Sequence, residues 1–250
     1  MPKLSAIIIT YNEEKNIEAC LKSVSWADEI IVVDSFSTDK TLEIAAKFTD
    51  KISQHPFYGY GKQKAFALSK ASGEWILSID ADERVTPALK EEIEIAISNS
   101  EIAGYYLPRK NFFCGRWIRH SGWYPNYQLR LFKRGKARFD ERLVHEKVVV
   151  NGKIGYLKTP LIHYTYSSLT DFLKKMQKYV DLWAQEKKKA GKKGGIGRGF
   201  FHGFWTFFKM FFLQAGFLDG RYGLLLASLY AAYTLAKYAR LEELEKTSVE

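Results

Sequence analysis

The 250-residue chain holds only two cysteines, Cys20 and Cys114. Two are too few for a disulfide scaffold or a cysteine-based metal site, so reduced thiols are expected. No Gly-x-Gly-x-x-Gly follows the first apolar strand pattern, and no Gly-Lys-Ser/Thr occurs anywhere. A dinucleotide-binding Rossmann domain and a P-loop NTPase are thereby both excluded. There is no internal repeat. Nor is there an apolar run of the roughly 20 residues that a membrane-spanning helix needs. The charge-free stretch Tyr222 to Ala236 stops at fifteen residues, and Lys209 interrupts an earlier aromatic one. At the N-terminus, MPKLSAIIITYNEE runs from a short apolar stretch straight into charge with no small-residue cleavage site, which is not the pattern of a signal peptide.

What is present is basic and aromatic. Formal charge is +10, aromatic residues make up 15%, and much of both lies in the C-terminal third. An apolar content of 46% with 26% charged residues fits a folded protein: one α/β domain, or one with a helical appendix. A basic, aromatic-rich segment suits nucleic acid, anionic lipid or a phosphorylated substrate.

Along the first hundred residues strands alternate with helices. Leu4 to Ile9 reads as a buried strand running into Thr-Tyr-Asn-Glu-Glu, then a helix with Ile17, Leu21 and Val24 at helical spacing. Ile30 to Val33 reads as a second strand ending on Asp34, with Ser37-Thr38-Asp39 as turn and N-cap before a helix from Leu42 to Phe48. Trp75 to Ile79 is a third strand ending on Asp80, and Thr86-Pro87 opens a helix to about Ser98. This order implies a mostly parallel sheet. Ligands of such sheets lie beyond the carboxyl ends of the strands. Three polar clusters, 10–13, 34–37 and 80–82, are therefore expected to meet in one crevice. From Gly104 to about Ile162 short β-like pieces (105–107, 128–132, 147–150, 154–156) alternate with Gly, Pro and basic turns.

The chemistry rests first on Asp80-Ala81-Asp82. Two carboxylates one residue apart on a turn can share a divalent cation and leave sites open for phosphate oxygens. Such a cation would neutralise a diphosphate leaving group. Glu83 and Arg84 read as solvated residues of the following loop. Asp34 at a strand end either accepts from a ribose or base N–H, or forms an Asx turn. Asp39 reads as a helix-start residue.

TYNEEKNIEACLKSV, EIIVVDSFSTDKT and GEWILSIDADE, in this order and spacing, resemble the nucleotide-binding half of a family-2 glycosyltransferase with the GT-A fold. The resemblance covers residues 4–98. Later stretches, WYPNYQLRLFKRG, VHEKVVVNG and GFLDGRYGLLLASLYAAYTLAKYARL, resemble the lipopolysaccharide-core glucosyltransferase branch. The resemblance implies an α/β, Rossmann-like, mostly parallel sheet. Thr10, Tyr11 and Glu13 would contact the nucleoside, with Asp34 on the base or ribose. It also implies Asp80 at the ribose or diphosphate and Asp82 on Mg²⁺ or Mn²⁺, with Asp80 a second ligand. Lys64, in GYGKQKAFAL, falls where the family brings a basic residue near the diphosphate; a solvated helix-face lysine is the other reading. Arg130 either pairs with a phosphate bidentately or is a strand-edge charge. An inverting transfer needs a carboxylate base; the resemblance favours Glu146, beside His145, with Asp140 and Glu141 as fallbacks. Trp123 and Tyr124 either stack on the acceptor sugar or pack in the core.

The implied reaction moves a sugar, glucose first, from a UDP-sugar to a glycolipid in lipopolysaccharide-core or other envelope-glycan synthesis. A polyprenyl-phosphate transferase is the alternative in the same class, and a non-catalytic basic nucleic-acid- or lipid-binding protein the alternative in another. Nucleic acid fits poorly, since three acidic strand-end clusters would repel phosphate. The expected division is a catalytic domain over 1–165, with a nucleotide-binding half (1–98) and an acceptor half (99–165), and a helical region over 166–250. From Asp171 to Arg198 there are nine Lys/Arg against three acids, and the Gly-rich 191–199 reads as a hinge. Eight aromatics from Phe200 to Phe212 then line one broad helix face. A basic helix beside an aromatic amphipathic one suits an interfacial anchor on an anionic leaflet. The expected place is the cytoplasm, peripheral on the inner face of the cytoplasmic membrane.

Overall fold

The computed structural model describes residues 2–140 and 147–247. Strand β1 (Leu4–Thr10) is a β-branched run buried on both faces, as a central parallel strand requires. Strands β2 (Glu29–Asp34) and β4 (Trp75–Asp80) flank it in parallel, with Thr10 opposite Asp34 and Ile9 opposite Asp80. That register brings the three polar strand ends to one level. Helix α1 (Ile17–Ser23) buries Ile17 and Leu21 against the sheet. Helix α2 (Thr41–Ala45), strand β3 (Ile52–Gln54) and helix α3 (Tyr60–Lys70) follow. After β4 come β5 (Glu83–Arg84) and α4 (Pro87–Ala96), whose N-cap Thr86 accepts the Leu89 N–H at 3.2 Å.

The remaining strands are β6 (Ile102–Phe113), β7 (Arg116–Trp117), β8 (Asn126–Lys133), β9 (Ala137–Phe139), β10 (Val148–Val150), β11 (Lys153–Tyr156) and β12 (Leu161–Tyr166). The sheet order is β3-β2-β1-β4-β8-β6-β12-β5, with β7 and β11 also on β6 and β9–β10 a separate pair. Strand β8 runs antiparallel to β4 and β6. Strand β6 continues well past the predicted 105–107 piece, because Pro108, Arg109 and Lys110 lie inside the strand rather than in a turn. Opposite it, Tyr105 pairs with Leu131 but Tyr106 with Leu129. Arg130 is the extra residue of a β-bulge, a device that re-aims a side chain.

Packing divides the chain into two compact units, Met1–Arg109 with Asn126–His163, and Lys110–Pro125 with Tyr164–Glu250. In the first, apolar clusters form on both sides of the sheet. One joins Leu4, Ile8, Val32 and Leu77 to α1 and α4, and the other joins Ile7, Ile31, Val33 and Ile76 to Ala67 and Phe132.

The second unit is built on α5 (Leu169–Lys189), α6 (Ile196–Phe208) and α7 (Arg221–Lys246), with a π-helical turn at Lys209–Leu213 and a 3-10 turn at Gly216–Asp219. Its core gathers Phe113, Ile118, Trp123, Phe172, Met210, Leu226 and Ala227. Trp123 is thus a packing residue there, as the default for a large aromatic predicts, and Tyr124 sits edge-on to Trp117. Of the glycines read as a hinge, Gly191, Gly194 and Gly195 lie between α5 and α6, and Gly197 and Gly199 lie inside α6. A Cβ on Gly199 would lie 2.8 Å from Tyr238 Cβ, and one on Gly203 2.8 Å from the Ala231 carbonyl oxygen, so α6 rests on α7 through its glycines. Its aromatics face outward: Phe200, Phe201, Phe204 and Trp205 are 51–71% exposed. A helix in water would bury that side. Among the described residues no helix is long and apolar enough to cross a membrane.

At the amino end of β2, buried Glu29 ties three segments together. It accepts from Lys51 Nζ at 2.6 Å, the Ser72 N–H at 2.8 Å, the Ser72 hydroxyl at 3.0 Å, and the Ser5 hydroxyl. Burial alone would raise its carboxyl, but these donors prevail and hold it at about 2. A depressed carboxylate contributes stability that is complete above its unfolded pKa, near 4.5, and lost as pH falls toward 2. Glu29→Gln is therefore expected to cost about 3 kcal/mol at pH 7. Urea melts should show the wild type and variant converging as pH drops from 4.5 to 2; parallel curves over that range would count against this account.

Candidate active site

The loops after β1 and β2 are stitched to one another. The Asn12 N–H donates to Ser37 Oγ and Asn12 Oδ1 accepts the Thr38 N–H, both at 2.8 Å; the Glu13 N–H donates to Thr41 Oγ1 at 2.8 Å. Asp39 Oδ2 accepts the Glu14 N–H, and its Oδ1 accepts the Thr41 N–H at 3.0 Å, consistent with a helix-start residue. Asn12 and Phe36 both have positive φ, which Asn tolerates and Phe does not favour. Asp34 is fully buried and accepts from both the N–H and hydroxyl of Ser37, the Asx-turn arrangement. Beside these loops Tyr11 is 58% exposed, and the buried Thr10 Oγ1 has no partner among the described residues.

Gln63, fully buried on α3, donates to Ser35 Oγ at 3.0 Å and faces His55 Nδ1 at 2.9 Å, fixing α3 against the β2 and β3 ends. That placement carries Lys64 inward. Its Nζ lies 3.0 Å from Asp80 Oδ1, and it is buried, so the solvated-face reading fails. The bulge at Arg130 aims its guanidinium at the same carboxylate: Nη2 donates to Asp80 Oδ2 and, at 2.7 Å, to Glu83 Oε1. Buried Arg130 is therefore no strand-edge charge. Three residues singled out in the sequence, Lys64, Asp80 and Arg130, meet here. Burial would raise the Asp80 carboxyl, but Arg130 and then Lys64 outweigh it and hold the group well below the usual carboxylate range.

Glu83 is the residue most misjudged in the sequence. It is fully buried rather than solvated, and one oxygen takes Arg130 and, at 3.2 Å, Arg109. The other accepts the Asp80 N–H at 2.9 Å. Arg109 is held in turn by Asn126 Oδ1, at 2.9 Å from Nε and 2.6 Å from Nη2. Arg84 is likewise engaged, donating to the Ala81, Glu83 and Asn16 carbonyls at 2.7–2.8 Å. Lys64, Arg109 and Arg130 thus face two carboxylates, and Arg130 Nε is a buried donor with no partner among the described residues. A positive cluster with an unfilled donor is suited to an anion.

Asp82, the second carboxylate of the triplet, has a different neighbour. Pairing of β12 with β5 sets His163 opposite Glu83, and His163 Nε2 lies 3.5 Å from Asp82 Oδ2. A carboxylate and an imidazole suit a divalent ion such as Mn²⁺, whose remaining positions phosphate and water would fill. Among the described residues no three His, Cys, Asp or Glu side chains converge as a ready-made metal cage. Of the acids proposed as base, Asp140 donates its N–H to the Lys147 carbonyl at 2.9 Å and accepts the Lys147 N–H at Oδ1 at 2.8 Å. Glu141, His145 and Glu146 lie outside the described residues.

Residues 5–165 match the profile described as glycosyl transferase family 2. The chain belongs to that family. It is 32% identical over 256 residues to the lipopolysaccharide core biosynthesis glycosyltransferase LpsC of Rhizobium meliloti, covering 96% of this chain and 95% of that one. An uncharacterized glycosyltransferase of Rickettsia bellii is 34% identical, over 97% and 87%. Among solved structures, Staphylococcus aureus TarS 1–349 in complex with UDP-GlcNAc superposes with a TM-score of 0.52 at 18% identity, covering 98% of this chain and 92% of that chain. The fold is therefore GT-A, and this family-2 member is a glycosyltransferase. Its Lys64–Asp80–Arg130 cluster and Asp82–His163 pair lie at the carboxyl end of β4.

Proposed function

We propose that this family-2 enzyme transfers a sugar, glucose first, from its UDP donor to a glycolipid acceptor with inversion, in lipopolysaccharide-core or related envelope-glycan synthesis. The observation that carries the reading is the convergence of Lys64 and Arg130 on one carboxylate beside Asp82. Two buried cations are costly unless an anion meets them. Asp80 fills that role without a donor, and a nucleotide diphosphate would share it. Likeness to LpsC along nearly its whole length supports the lipopolysaccharide-core acceptor.

In this reading Thr10, Tyr11, Glu13 and Asp34 form the nucleoside side. Lys64 and Arg130 neutralise the diphosphate as the anomeric bond breaks. Asp82 with His163 would hold Mg²⁺ or Mn²⁺, while Asp80, committed to Lys64 and Arg130, has less to offer a metal than the sequence suggests. When bound, the cation supplies further charge neutralisation to the departing diphosphate. A carboxylate takes the proton from the attacking acceptor hydroxyl; Glu146 is assigned, with Asp140 and Glu141 as the fallbacks. Peripheral contact with an anionic membrane is part of the proposal, supported by the outward aromatics of α6.

Calorimetry with UDP-glucose, UDP-galactose, GDP-mannose and ATP, each with Mn²⁺ and with EDTA, tests the donor. Saturable, metal-dependent binding of UDP-glucose and weaker binding of the rest is expected. Equal binding of ATP, or binding of none, would refute the donor assignment.

A further inference from the structure

The second unit carries a cluster of cations outside the basic helix that stands out in the sequence. On and just after the β6–β7 hairpin, Lys110 Nζ lies 4.2 Å and the Arg119 guanidinium 4.4 Å from the ring centre of Trp117. Nearby, the Arg116 and Arg221 guanidinia lie 5.2 Å and 5.5 Å from the ring centre of Tyr222. Sharing one ring sets the Trp117 pair closer than a Debye length at 0.1 M salt, about 10 Å, so their repulsion is felt. No carboxylate pairs with any of the four among the described residues. The adjoining acid, Asp219, is buried and otherwise engaged. It accepts the Arg119 and His120 N–H groups at 3.3 and 2.9 Å and faces His120 Nδ1 at 3.4 Å.

Those bonds from Asp219 have a second effect. They pin the segment after β7 to the 3-10 turn whose Phe217 and Leu218 are 50% and 60% exposed. An apolar tip therefore stands beside four uncompensated cations. Guanidinium groups match phosphate oxygens bidentately, and apolar side chains next to them suit acyl chains just beneath a headgroup layer. A soluble phosphate would leave that tip in water. A nucleic acid would want the rings for base stacking, and the cations already cover them.

We infer that Lys110, Arg116, Arg119 and Arg221 form a binding site for the phosphates of anionic lipid headgroups, with Phe217 and Leu218 entering the bilayer interface beside them. The site rests on the membrane reading above and gives it a second, separate contact. Full-length protein is sedimented with vesicles of phosphatidylcholine alone and of equimolar phosphatidylcholine and phosphatidylglycerol. Wild type should partition onto the anionic vesicles at least ten-fold more strongly. Arg116→Gln/Arg221→Gln should lose about five-fold per charge, with an unchanged melting temperature and UDP binding as folding controls. Phe217→Ser/Leu218→Ser should weaken binding to both vesicle types. Undiminished binding by the arginine variant would overturn the site, as would displacement of the protein by inorganic phosphate matched to lipid phosphorus. A third variant, Phe200→Ser/Phe204→Ser on α6, separates the two ideas. If it detaches while the arginine variant stays bound, the membrane reading survives without this site. If wild type ignores anionic vesicles, both fall.

Discussion

Asp82→Ala is expected to lower kcat/KM by about 10³-fold or more, which is the scale for losing a group that meets transition-state charge. The argument turns on the different surroundings of the two aspartates. Asp80 is committed to Lys64 and Arg130. Asp82 faces the His163 imidazole, and in the proposed function these two hold the divalent ion. His163→Ala should behave differently from Asp82→Ala. If His163 is the second of the two proposed ligands, its loss leaves Asp82 to hold the ion and raises the metal concentration needed for half activity, by roughly 10–100-fold on the scale of metal-site perturbations, while kcat at saturating metal is largely kept. Initial rates of UDP release across a Mn²⁺ titration separate the two effects. An Asp82→Ala enzyme that keeps a tenth of wild-type kcat/KM would remove Asp82 from the reaction. A His163→Ala enzyme with an unshifted metal titration would leave its imidazole a purely structural neighbour.

The strand-end logic of the first hundred residues was legible because it is local. Apolar β-branched runs ending in polar clusters specify parallel strands, and parallel register alone aligns Asp34 and Asp80 with β1. What was not legible depends on partners far along the chain. Glu83 reads as solvated because acids after a turn usually are, yet its fate is decided by Arg109 and Arg130, the second aimed inward by a bulge that no pattern in NYQLRLFK announces. His163 is one histidine in a short strand, and only the β5–β12 pairing gives it Asp82 as a neighbour. On α6 the aromatic face was visible, but which side turns inward was not. Glycines at 199 and 203 settle that, since a backbone approach this close admits no side chain. The acids at 141 and 146 stay an inference from resemblance alone.

Glu83→Ala is expected to destabilise the protein by about 3–5 kcal/mol, the usual cost of removing one partner from a buried ion pair. Two guanidinium groups lose their shared counter-charge, and the Asp80 N–H loses its acceptor. Glu83→Gln keeps the shape and an oxygen acceptor, so about 1–3 kcal/mol should be lost instead. Urea midpoints of the two variants give the ranking, and a Glu83→Ala loss under 1 kcal/mol would refute a linking role. Glutamine also separates structure from function. In the proposed function Glu83 is a positioning residue that orients Arg130. With the charge gone, Arg130 keeps Asp80 as its one anionic partner among the described residues, so its guanidinium should shift toward that carboxylate and offer less to a diphosphate. UDP affinity of the folded Glu83→Gln protein should then fall several-fold, with no change in the metal titration. If stability falls while UDP affinity holds, Glu83 braces the fold alone, and Arg130 is placed by the bulge without it.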